Sequence, residues 1–142
     1  VGAAKLFTAL AASVLPQPEV LGIYTSGTVF QPEFYLKVAQ DLKAGDLPVM
    51  DWVYVGLYRG KKGACGYTYG LSSFGREEME IIDSAKEPGE VIEFLYDLCI
   101  YLLKSDAYIR DGETVGHSAE EKLSVTRSKG VALDGMTLKI AF

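Results

Sequence analysis

The sequence predicts an α+β fold, an antiparallel sheet of about five to six strands with helices packed mainly on one face. Three observations carry this expectation. The elements run in the order α-β-α-β-β-β-α-β-β-β, neighbouring strand segments are mostly close enough to pair antiparallel, and residues 84–104 keep an unbroken helical period. At 142 residues, 49% hydrophobic and 23% charged, the chain is long enough to bury a core and too apolar for disorder. It is read as one α+β domain over residues 1–142.

Each element has its own warrant. "AAKLFTALAASV" (3–14) sets Leu6, Leu10 and Val14 at spacing four, a helix stopped by Pro16 and Pro18. "VLGIYT" (20–25) is a short apolar strand. "TVFQPEFYLKVAQDLKAG" starts a helix, with Pro32 in its first turn, Phe34, Val38 and Leu42 on one face and Gly45 at its end. "MDWVYVGLYRGKKGACGYTYGLSSFG" (50–75) reads as a β-hairpin. A two-residue turn at Lys61-Lys62 demands positive φ at two lysines, so a three-residue loop with Gly63 left-handed is expected, pairing Gly60 with Ala64. That register sets Tyr58 across from Gly66 and Tyr54 across from Gly70, rings shielding glycines. It also gives Val53, Val55 and Leu57 a shared core face with Tyr67, Tyr69 and Leu71.

"EMEIID" (78–83) is the next strand, and "SAKEPGEVIEFLYDLCIYLLK" carries the strongest helix signal. Ser84 and Glu87 fit a capping box, and Val91, Leu95, Leu98 and Leu102 form one apolar stripe. "YIRDGETVG", "EKLSVTR" and "MTLKIAF" are short strands separated by turns at Asp111-Gly112 and Asp134-Gly135.

Composition excludes several functions. Fourteen Lys and Arg against nineteen Asp and Glu leave a net charge of -5, against a nucleic-acid binder that needs a basic face. No apolar run approaches the roughly 20 residues of a membrane span. Cys65 and Cys99 read as buried free thiols, which together with the absence of a signal peptide points to the cytoplasm. One histidine and two distant cysteines do not make a zinc site, and neither a metal nor a cofactor is expected. Among the glycine-rich stretches only "TSG" (25–27) has the context of an anion cradle, and Pro32 and Glu33 count against it.

The candidates are few. His117 suits acid–base work near neutral pH, but Ser118, Glu120 and Glu121 are its neighbours in sequence, and a relay is built in space. The plainer reading makes Asp111-Gly112 a turn and Ser118 a cap. Glu78 and Glu80 share a strand face about 7 Å apart, a spacing that suits a hard cation or an acid–base pair. The preferred reading is a polar face in water with Met79 and Ile81 inward. Trp52, Tyr54 and Tyr58 alternate on one strand face, either stacking on a ligand or partner or lying under a helix.

"YTYGLSSFGREEMEI", an apolar helix and "YLLKSDAYIRDGETVGHSAEEKLSV" together resemble the bacterial domain-of-unknown-function family numbered 4261. The resemblance rests on Thr68, Gly70, Leu71, Phe74, Gly75, Glu78 and Glu80, then Asp111, Gly112, Thr114, Gly116 and Ser118, over residues 20–127. It implies a shared fold and a bacterial source, and it brings no activity and no catalytic residues. Family members are commonly longer at the N-terminus, so the chain is read as the C-terminal part of a longer protein.

The leading expectation is a non-enzymatic module that binds a partner protein, a second copy of itself or a small ligand. Its contact residues are expected among Trp52, Tyr54, Tyr58, Glu78, Glu80, Asp111, Thr114, His117 and Ser118. The alternative is a small hydrolase-like enzyme using Glu78, Glu80 and Asp111, with or without a divalent cation.

Overall fold

A computed structural model describes residues 1–116 and 121–142. The chain divides into two compact units, Val1–Tyr54 and Val55–Phe142.

The first unit opens with α1 (Gly2–Val14). Its spacing-four stripe faces outward: Leu6, Leu10 and Val14 are exposed. The small side of the helix faces inward instead, where Ala11 and Ala12 pack against Leu15, Tyr35 and Ala39. Thr8 is fully buried, and its Oγ1 accepts hydrogen bonds from the Tyr35 hydroxyl (3.4 Å) and the Trp52 indole N–H (2.8 Å). Strand β1 (Ile23–Thr25) pairs antiparallel with β2 (Thr28–Phe30). Ser26 and Gly27 both have positive φ, 49° and 73°, as a type I′ hairpin turn requires. Residues 28–30 are therefore strand where helix was expected, and "TSG" is a hairpin turn with no helix start to cradle an anion.

Helix α2 (Pro32–Ala39) starts at Pro32, which needs no N–H partner there, and buries Tyr35 rather than Phe34. A second short turn, α3 (Asp41–Ala44), ends on Gly45 at φ 86°. Helix α4 (Val49–Trp52) follows. Trp52 thus stands on a helix, 4% exposed, and not on an open strand face.

The second unit is built on a six-stranded sheet. Its strands are β3 (Tyr54–Arg59), β4 (Ala64–Tyr69), β5 (Met79–Ser84), β6 (Thr114–Val115), β7 (Leu123–Lys129) and β8 (Met136–Ile140), in the order β3-β4-β5-β8-β7-β6. The sheet is mixed rather than wholly antiparallel, because β5 and β8 run parallel, Met79 beside Leu138 and Glu80 beside Lys139. Between them the chain traverses α5 (Pro88–Lys104) and two further strands, the long excursion that parallel neighbours require.

The β3–β4 hairpin closes one residue tighter than the sequence suggested. The Gly60 N–H donates to the Gly63 carbonyl (2.9 Å), leaving Lys61-Lys62 as the loop, and neither lysine takes positive φ. Support arrives from β5: Asp83 Oδ1 accepts the N–H groups of Lys62 (2.9 Å) and Gly63 (3.3 Å). The slip shifts every cross-strand partner by one residue. A ring does shield a glycine, but it is Tyr67 over Gly56, where a Cβ would collide with the phenol. Of the expected core face, Val53, Val55 and Leu71 are buried, whereas Leu57 and Tyr69 are exposed and Tyr67 is half-buried.

Helix α5 covers the other side of β4, where a Cβ on Gly66 would meet Val91 and Leu95. Its stripe of Val91, Leu95, Leu98 and Leu102 is buried as expected, alongside Met79, Ile81, Val125 and Leu138. Each such side chain contributes about 1.5–3 kcal/mol of transfer free energy. The capping box sits one turn later than expected: Glu87 is the N-cap, and its N–H donates to Glu90 Oε2 (3.0 Å). Pro88 fixes the first helical position, while Ser84 still belongs to β5 and its Oγ accepts the Lys86 N–H.

Candidate functional site

Two carboxylates at spacing two, Glu78 and Glu80, are both committed to the chain itself. Glu78 accepts from the Thr68 hydroxyl (2.8 Å), the Gly70 N–H (2.9 Å) and the Ser72 N–H (3.1 Å). Thr68 Oγ1 in turn accepts the Met79 N–H (2.8 Å). These bonds fasten the single turn Leu71–Phe74, which is flanked by Gly70 and Gly75 at φ 119° and 69°. The pattern from Thr68 through Glu78 is thus a fastener for one loop.

Glu80 is fully buried, not in water, because the segment between β7 and β8 folds over it. It accepts the N–H groups of Val131 (3.1 and 3.0 Å) and Ala132 (2.8 Å) and the Thr137 hydroxyl (3.0 Å), and it pairs with Lys139 Nζ at 2.8 Å. Burial alone would push its proton affinity up; the Lys139 ammonium and the three other donors outweigh burial and hold the carboxyl below its ordinary value. Asp111 Oδ1 accepts the Arg127 N–H (2.7 Å). Each of the three carboxylates of the hydrolase-like alternative therefore already serves the chain's own donors.

Arg76 was not singled out from the sequence, yet it joins the two motif-bearing segments. It is buried, donating from Nε to the Ala107 carbonyl (2.7 Å), from Nη1 to the Phe74 carbonyl (3.0 Å) and from Nη2 to Asp106, and its guanidinium lies 3.6 Å over the Tyr108 ring centroid. Arg127 Nε meets Glu77 at 2.7 Å beside it. A small cavity of about 280 Å³ lies here between Arg76, Glu77, Arg110, Asp111 and Arg127.

Tyr108 also lines a larger cleft of about 480 Å³ along α5. Phe94 and Leu98 form its floor, Tyr101 and Tyr108 present rings that are 56% and 57% exposed, and Asp97, Glu113, Glu121 and Lys122 supply its charges. Thr114 and Gly116 belong to its lining. This volume lies in the range of small-molecule sites, roughly 300–1,000 Å³. The sequence held one clue: Asp97 is the single charge between Glu93 and Lys104 on an otherwise apolar helix, four residues before Tyr101.

The other expected residues are dispersed. Trp52 is buried in α4 with its N–H engaged, so no exposed Trp52–Tyr54–Tyr58 face exists. Tyr54 is 37% exposed. The Tyr58 hydroxyl is buried without a hydrogen-bond partner, and burial first, then Cys65, Glu80 and Asp83, raises its pKa to about 12. His117 and Ser118 lie outside the described residues. Cys65 and Cys99 are buried free thiols, and burial pushes the Cys99 thiol well up. Among the described residues no three His, Cys, Asp or Glu side chains gather as metal ligands, and no helix is long and apolar enough to cross a membrane.

The model of the family described as Domain of unknown function (DUF4261) matches residues 67–141, just over half of the chain, and the chain belongs to that family. The match begins in β4 and ends beyond β8, spanning the Glu78 fastener, the Glu80 cluster and the α5 cleft. No curated protein and no solved structure matches.

Proposed function

We propose that this family member is a non-enzymatic binding module whose ligand site is the cleft along α5. One observation carries the reading: two tyrosines, each more than half exposed, line a cavity of about 480 Å³ together with the buried side chains of Phe94 and Leu98. The carboxylates that would serve hydrolysis are occupied by backbone donors, which favours binding over catalysis.

Native mass spectrometry of the chain purified gently from a cell lysate tests the proposal. A small organic adduct is expected, lost in Tyr101→Ala and kept in Tyr24→Ala, which removes an exposed ring of the first unit. A bare chain whose cleft also ignores small aromatic ligands would sink the reading.

A further inference from the structure

We infer that the cleft along α5 takes an organic cation, an ammonium or guanidinium group on a small apolar body. This rests on the cleft being a ligand site and names the chemistry that would fill it. Among the described residues three carboxylates, Asp97, Glu113 and Glu121, line the cleft beside one cation, Lys122, and Glu113 also accepts the Arg110 N–H (2.9 Å). The same cleft is lined by the exposed Tyr101 and by Tyr108, one face of whose ring already carries the Arg76 guanidinium. A ring face attracts a cation through its quadrupole, and a concave, partly dry site strengthens that attraction and the Coulomb term together. An anion would face an excess of carboxylates over the single Lys122 ammonium there, and a neutral ligand would gain the apolar contact alone. The chain itself provides a precedent, since the Arg76 guanidinium lies 3.6 Å over the Tyr108 ring. Tyr101 shows that the arrangement is not required by packing: its ring is 56% exposed on α5, one helical turn from Asp97. The net charge of -5 favours the approach of a cation further.

Three probes that share a phenylethyl group and differ in charge separate the two levels of the proposal: phenethylamine, 2-phenylethanol and 3-phenylpropionate. Each is titrated into the isotopically labelled chain while the amide and tyrosine ring resonances of residues 94–116 are followed. Phenethylamine is expected to saturate the cleft at least about tenfold more tightly than 2-phenylethanol, and 3-phenylpropionate to bind weakest. Its advantage should shrink at high salt, and the double variant Asp97→Asn, Glu113→Gln should lose that advantage while still binding 2-phenylethanol. Equal or stronger binding of the neutral or anionic probe overturns the cationic assignment and leaves the cleft standing as a ligand site. Silence from all three probes overturns both.

Discussion

Each unit buries a carboxylate, and the two are handled in opposite ways. Glu80, in the second unit, is fully buried and surrounded by the Lys139 ammonium, two backbone N–H groups and a threonine hydroxyl. Asp51, in the first, is 1% exposed and neither of its oxygens has a hydrogen-bond partner. The first carboxyl is held below its ordinary value; the second is raised from 3.8 to about 8, by burial first and then by the Asp41 charge. The lesson concerns donors rather than depth. Equal burial keeps a carboxyl ionised where the surrounding loop aims N–H groups at it, and protonated where nothing does.

The largest test of that contrast removes the supported charge. Glu80→Ala leaves the Lys139 ammonium without its buried partner and strips the acceptor from Val131 and Ala132. A loss of about 3–5 kcal/mol is expected in denaturant unfolding. A loss below about 1 kcal/mol would mean that water replaces the carboxylate easily, and the contrast with Asp51 would collapse.

The next test is pH. Asp51 has a raised folded pKa, so the folded state binds the extra proton and its stability falls as pH rises from about 4 to 8, by at most about 1.4 kcal/mol per unit. Beyond about 8 the folded carboxyl ionises as well and the decline levels off. Asp51→Asn should flatten this slope and stabilise the first unit at neutral pH, followed by the fluorescence of the adjacent Trp52. Glu80 has the opposite sign: its contribution is present above its ordinary value of 4.5 and is lost as acid titrates the folded carboxyl. Parallel slopes for the two sites would refute the comparison.

The smallest effect belongs to an exposed pair. Lys86 and Glu90, 3.8 Å apart at spacing four on the surface, should yield less than about 0.5 kcal/mol in Lys86→Ala. A larger thermal shift would show that exposed charges matter here as much as buried ones.

Much of the fold was legible where the information is local. The α5 stripe reads directly from 3.6-residue periodicity, and Gly45 ends its helix in the left-handed conformation that glycine takes at no steric cost. The failures came from partners distant in sequence. The Lys61-Lys62 loop looked costly because its support, Asp83, lies about 20 residues further on in another strand. Met79 and Ile81 point inward as alternation predicts, yet alternation cannot say that residues 131–132 will cover Glu80 on the opposite face. Trp52 was assigned to a strand because its aromatic neighbours favour one, while the hydroxyl of Thr8 draws it into the core of the first unit. The α5 cleft was the least visible feature of all. Its rings and carboxylates come from a helix and from the segments on either side of β6, and only their meeting in space makes a cavity.

The parallel pairing of β5 with β8 sets a timetable for synthesis. Lys139 follows Glu80 by 59 residues, so at roughly 5–20 residues per second the ribosome needs about 3–12 s to deliver it. Over that interval β5 is the open border of a growing sheet, where unpaired N–H and C=O groups invite the wrong chain. The Glu80 carboxylate receives the Lys139 ammonium only once β8 is in place, so this buried ion pair depends on one of the last segments of the chain to be made.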